Sequence, residues 1–132
     1  MTSAAPSDPN AAQIEHWNGP AGEIWVKFQA RLDDQLAPLG RLAMDRAAIR
    51  EGEAILDIGC GTGQTTLELV GRVGREGRVL GIDISGTMLG LARRRSAAAA
   101  SPQASFEQGD AQTHCFASSS FDLAFSRFGV MF

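Results

Sequence analysis

Between Gly22 and Arg50 the apolar residues Trp25, Phe28, Leu32 and Leu36 recur every three or four positions, and Leu39, Leu42, Ala43 and Ile49 continue the series beyond Pro38. That spacing lays an apolar stripe along a helix, while a proline removes an amide donor and disfavours helix in its predecessor. Two amphipathic helices broken at Pro38 are predicted. Glu51 to Glu53 then turn the chain into Ala54 to Ile58, a short apolar run that ends on glycine and reads as a strand. Leu67, Leu69, Val70 and Val73 restore a helical period from Gln64 to Val73, closed by Gly74. Arg78 to Asp83 is a second strand. Ser85 is an N-cap for a helix through Met88, Leu89, Leu91 and Ala92 to Ser96, which Ala97 to Ala100 can extend until Pro102 stops it. Ala104 to Gln108 and Phe121 to Ser126 complete the pattern as third and fourth strands.

Strands separated by helical segments require crossover connections, which build a parallel sheet. The expected fold class is therefore α/β: a Rossmann-like, doubly wound, mostly parallel sheet of about four strands with helices on both faces, preceded by two helices. Residues 1–16 lack a basic start and an apolar core, so they read as a disordered tail and not as a signal peptide. Residues 17–53 form the N-terminal helical segment and residues 54–132 the sheet domain. With 132 residues, 44% apolar and 20% charged, the chain can build one core.

Charge narrows the classes of partner. A formal net charge of -3 offers no basic face for nucleic acid. The one basic cluster, Arg93 to Arg95, falls where a helix should end and complements its dipole. No stretch is long enough to span a membrane. Cys60 lies inside a glycine loop and Cys115 has no nearby partner in sequence, so both read as reduced thiols of a cytoplasmic protein.

The chemistry gathers at strand ends. In an open parallel sheet the ligand lies outside the carboxyl ends of the strands. Four candidate segments fall there: Asp57 to Gly63, Asp83, Asp110 and Ser126. The glycines allow bare backbone to approach a ligand, and the helix that follows offers amides to an anionic group. Asp83 is placed to accept both hydroxyls of a ribose, and Ile84 and Met88 to cover the flat face of an adenine.

In this order the motifs resemble the class I methyltransferases that depend on S-adenosyl-L-methionine, and the branch similar to the ubiquinone and menaquinone biosynthesis enzymes. The likeness rests on Asp57 with Gly59, Gly61 and Gly63, on Asp83, on Asp110 and Ala111 in GDAQ, and on FDLAFSRFGVMF from Phe121 to Phe132. WNGPAG at Trp17 to Gly22 fits the same branch. The resemblance implies that residues 54–132 are the N-terminal part of a cofactor-binding methyltransferase domain. It further implies that Gly59, Gly61 and Gly63 approach the methionine portion and that Asp57 engages its ammonium directly or through water. Asp83 would hold the ribose diol, Ile84 and Met88 would flank the adenine, and Asp110 with the Ala111 amide would read its edge. Ser126 belongs to the segment beside the methionine end. The acceptor is expected to be a small molecule, with no metal required. Neither His114 nor His16 is assigned as a general base.

Folds of this kind normally carry about six strands. A chain ending after the fourth is expected to be a fragment that exposes Phe125, Phe128, Val130, Met131 and Phe132 and self-associates through an open edge. The same glycine loop followed by an acid also suits a nicotinamide-dinucleotide oxidoreductase, but that pattern wants a glycine where Gln64 stands. A non-enzymatic fragment that pairs through its open edge is the other alternative.

Overall fold

The computed structural model describes residues 8–132. The chain enters through three helices, α1 (Ala11–Asn18), α2 (Pro20–Lys27) and α3 (Gln29–Arg46). The expected tail is thus non-helical at residues 8–10 and helical from Ala11 onward, and its first part, residues 1–7, lies outside the described residues. Alanine-rich sequence favours helix, but α1 is held in place by distant partners. Ser85 Oγ donates to the Trp17 carbonyl at 2.6 Å, and Asn18 Nδ2 donates to the Ile84 carbonyl at 2.9 Å.

The helical break falls at Phe28, not at Pro38, which sits inside α3. Pro38 and Asp34 are both exposed. Water can therefore serve the Asp34 carbonyl that the proline leaves without a donor, while Ala37, Gly40 and Met44 bury the opposite side of the helix.

Four strands follow with two helices between them: β1 (Ala54–Ile58), α4 (Gln64–Val73), β2 (Arg78–Asp83), α5 (Gly86–Ala98), β3 (Ala104–Gln108) and β4 (Leu123–Phe125). Ser85 caps α5 by accepting from the Met88 amide at 3.2 Å. All pairings are parallel, in the order β3-β2-β1-β4. The sheet thus steps outward from β1 in both directions, as in Rossmann-like folds, and the ends of β1 and β4 lie side by side.

Successive strand residues face opposite sides. Ile55, Val79 and Phe125 share one side and form the core with Met44 of α3 and Leu69, Val70 and Val73 of α4. Ala92 of α5 packs on the same side, close over Gly63. Two right-handed crossovers that move in one direction must place both helices on one face. The other face, with Leu56, Leu80 and Ile82, is approached by the connection from Gly109 to Phe121, where His114 Nε2 lies 3.3 Å from Glu107 Oε1. Among the described residues, the expectation of helices on both faces is met on one face only.

β4 is shorter than expected, and side chains join the pairing with β1 just beyond its ends. Asp122 Oδ2 accepts from the Ala54 amide at 2.8 Å, and Ser126 Oγ donates to the Ile58 carbonyl at 2.8 Å. Phe125 is buried, contrary to the expectation that it would be exposed, since it sits opposite Asp57 on the core side. Phe128, Val130, Met131 and Phe132 are exposed as expected.

Candidate cofactor site

A cavity of about 690 Å³ opens at the carboxyl ends of the strands. Of the expected site residues, Gly59, Gly61, Asp83, Ile84, Met88, Asp110 and Ala111 line it. Asp57, Gly63 and Ser126 do not, and each has a structural task instead.

Asp57 is fully buried beneath the first turn of α4. Its Oδ2 accepts from Thr65 Oγ1 and Thr66 Oγ1, each at 2.7 Å, while Oδ1 has no partner. Burial pushes its carboxyl up to about 6, against the opposing hydrogen bonds of Thr66 and Thr65 and the charge of Arg127. Asp57 therefore reaches the cavity only through Thr65, which lines it. Gly63 is the N-cap of α4 at φ 91°, and a β-carbon there would lie 2.9 Å from Ala92 Cβ. Its missing side chain serves helix packing. Ser126 fastens the end of β4 to β1 through the Ile58 carbonyl.

Gly59 combines a positive φ of 70° with a backbone contact. A β-carbon would fall 2.6 Å from Gly129 Cα, on the turn after β4. That turn also carries Phe128 at φ 64°, an uncommon conformation for a bulky residue. The glycine loop and the post-β4 turn thus form one wall, backbone against backbone.

Asp83 is held at both of its carboxylate oxygens. Oδ2 accepts from the Gly61 amide at 2.8 Å and Oδ1 from the Ser85 amide at 2.9 Å. Two fixed amides hold the carboxylate plane, and each oxygen keeps a second lone pair for a ligand. Burial raises its pKa, opposed by the amides of Ser85, Gly61 and Ile84. Met88 lies against the loop, its Cε 2.8 Å from where a β-carbon on Gly61 would stand. At the next strand end, Asp110 Oδ1 accepts from the Gln112 amide at 2.9 Å and Oδ2 from Asn10 Nδ2 at 2.7 Å.

Several lining residues were not anticipated from the sequence. Asn10, Gln13 and Trp17 of the N-terminal segment close one side, and Trp25, Leu32 and Leu36 give it an apolar wall. Trp17 packs edge-on against Trp25 and Phe132, with ring centroids 6.2 and 5.2 Å apart. The amphipathic period of Leu32 and Leu36 was legible, but it does not say whether the stripe meets a core or a cavity. Arg127 also lines the cavity, and nothing in the sequence singles it out within the FDLAFSRFGVMF segment. Arg95 does more than end a helix: it pairs with Asp33 at 2.8 Å and donates to the Thr62 carbonyl at 3.0 Å.

Residues 55–132 match the methyltransferase domain family. This chain belongs to that family. It is 41% identical over 96 residues to a 2-phytyl-1,4-naphtoquinone methyltransferase of Thermosynechococcus vestitus, covering 69% of this chain and 42% of the relative. It is 37% identical over 95 residues to an aklanonic acid methyltransferase of a Streptomyces species, covering 72% and 43%. The fold is similar to that of a SAM dependent methyltransferase from Aquifex aeolicus, with a TM-score of 0.62 at 20% identity over 87% of this chain and 55% of that one. The chain spans about two fifths of the length of the curated relatives it matches. The methyltransferase domain of this chain is thus a Rossmann-like sheet with a cleft at its strand ends, lined by a glycine-rich loop, a carboxylate held by two backbone amides and apolar side chains. Among the described residues, no cluster of His, Cys, Asp and Glu is arranged to hold a metal ion.

Proposed function

We propose that the cavity binds S-adenosyl-L-methionine across the strand ends, and that the protein to which this domain belongs transfers the methyl group to a small, flat, largely apolar acceptor. The observation that carries this reading is Asp83, whose two oxygens are each fixed by a backbone amide beside a glycine-rich loop. A vicinal diol presents two donors at the spacing of one carboxylate.

The remaining assignments follow from position. Ile84 and Met88 flank the adenine. Asp110 and the Ala111 amide address its edge, and Asn10, already bonded to Asp110, closes the pocket there. Gly59 and Gly61 make room for the methionine portion. Asp57 acts through Thr65 and Thr66, whose hydroxyls it anchors at the amino end of α4. Gly63 and Ser126 act on the shape of the loop.

When bound, the cofactor supplies an electrophilic methyl on a positively charged sulfur. The contribution of the chain is alignment of the acceptor and exclusion of water, for which the wall of Trp17, Trp25, Leu32 and Leu36 is suited. An aromatic and aliphatic wall favours a ring-shaped acceptor, and the name of one relative, a 2-phytyl-1,4-naphtoquinone methyltransferase, supports that class. The net charge of -3 argues for a small molecule over nucleic acid. No helix of the described residues is long and apolar enough to cross a membrane, and two free cysteines support a reducing, cytoplasmic setting.

Replacing Asp83 by alanine tests the reading. Charge-assisted hydrogen bonds contribute about 1.5–3 kcal/mol each, so Asp83→Ala should weaken S-adenosylhomocysteine binding about a hundredfold or more. Equilibrium dialysis measures this, with circular dichroism confirming that the variant is folded. A folded Asp83→Ala protein with unchanged affinity contradicts the proposal.

A further inference from the structure

Arg127 follows β4 on the turn that backs the glycine loop, and it lines the cavity. Its stem crosses α3 so closely that a β-carbon on Gly40 would lie 3.4 Å from Arg127 Cδ. Nη1 donates to the Gln64 side-chain carbonyl at the start of α4. Asp33, Asp57 and Glu68 are near enough to act on the charge of the guanidinium, yet each has hydrogen-bond partners elsewhere. Asp33 pairs with Arg95 at 2.8 Å, Glu68 pairs with Arg41 at 2.6 Å, and Asp57 accepts from Thr65 and Thr66. Among the described residues, no carboxylate lies within ion-pair distance of Arg127. A guanidinium has five N–H donors in a planar fork, and a partly buried one with a single protein acceptor is poised for an anion.

The strand order says which anion. Along β3-β2-β1-β4 the cavity presents Asp110, Asp83, the glycine loop and Arg127 in turn. With the adenine at Asp110 and the ribose at Asp83, the tail of the cofactor crosses the loop and ends beside Arg127. That tail carries an α-carboxylate, whose two oxygens match the guanidinium fork. The amino end of α4, with Gln64 beside Arg127, adds a dipole of the same sign. We infer that Arg127 clamps the carboxylate of the cofactor's amino-acid tail and makes the cavity selective for ligands that carry it. This rests on the proposed cofactor reading and adds to it a residue that the sequence motifs do not single out.

The test compares two ligands by calorimetric titration. S-adenosylhomocysteine carries the amino-acid tail, whereas methylthioadenosine shares the adenine, ribose and thioether but lacks it. In Arg127→Ala, S-adenosylhomocysteine should bind about tenfold to a hundredfold more weakly, while methylthioadenosine stays within about twofold of wild type. Arg127→Lys should recover part of the loss, because it keeps the charge but not the fork. Undiminished S-adenosylhomocysteine affinity in Arg127→Ala overturns the assignment, and so does equal loss of both ligands in both variants. Wild type that binds neither ligand overturns the cofactor reading itself, and the assignment with it.

Discussion

A carboxylate sealed beneath the first turn of a helix couples the stability of this domain to pH. Asp57 was legible in the sequence as the acid before the glycine loop, but its burial was not, since that comes from α4 folding back over it. Burial raises its folded pKa to about 6 from an ordinary 3.8. An acid whose pKa is raised on folding binds a proton more readily in the folded state than in the unfolded one. Its contribution to stability is therefore greatest below the unfolded value and is lost as pH rises through about 6. Asp57→Asn removes the titration at that position. The stability of wild type relative to Asp57→Asn, measured by urea unfolding, should increase between pH 7 and pH 5. A difference that stays flat over that range contradicts the burial of a titrating carboxylate. The same residue shows the limit of motif reading: the pattern marked Asp57 as a ligand group, and packing made it an anchor for Thr65 and Thr66.

At the scale of elements, periodicity located both sheet helices and all four strands, because each is a local pattern ended by glycine, proline or a capping serine. Two misreadings had long-range causes. The N-terminal residues looked like a tail because their anchors are far away in sequence, with Asn10 bonded to Asp110 and Asn18 to Ile84. Pro38 looked like a break because its local cost is high, yet the helix continues through it on the exposed side while Ala37, Gly40 and Met44 pack. Proline in a helix interior costs about 3 kcal/mol relative to alanine, part of which is offset by a stiffer unfolded chain. Pro38→Ala should accordingly stabilise the protein by about 1–3 kcal/mol in a denaturant titration. A loss of stability would show that the proline ring packs in a way that its exposure does not suggest.

For the whole molecule, the alternation of strands and helices fixed the parallel sheet and the convergence of strand ends on one cleft. It did not fix which lining comes from the N-terminal helices. Nor did it show that Gly59 meets Gly129, because nothing in the sequence signals one bare backbone pressing on another. The cavity is therefore built from both ends of the chain, with Trp17 and Phe132 in edge contact across its rim. Its acidic and glycine features also fit a dinucleotide in outline, and the two ligands are distinguished by what lies past the ribose. The most direct test is one calorimetric experiment in which the purified chain is titrated in parallel with S-adenosylhomocysteine and with NADH. Saturable one-to-one binding of S-adenosylhomocysteine with no NADH response is the predicted result. Saturable NADH binding with no response to S-adenosylhomocysteine would contradict the account.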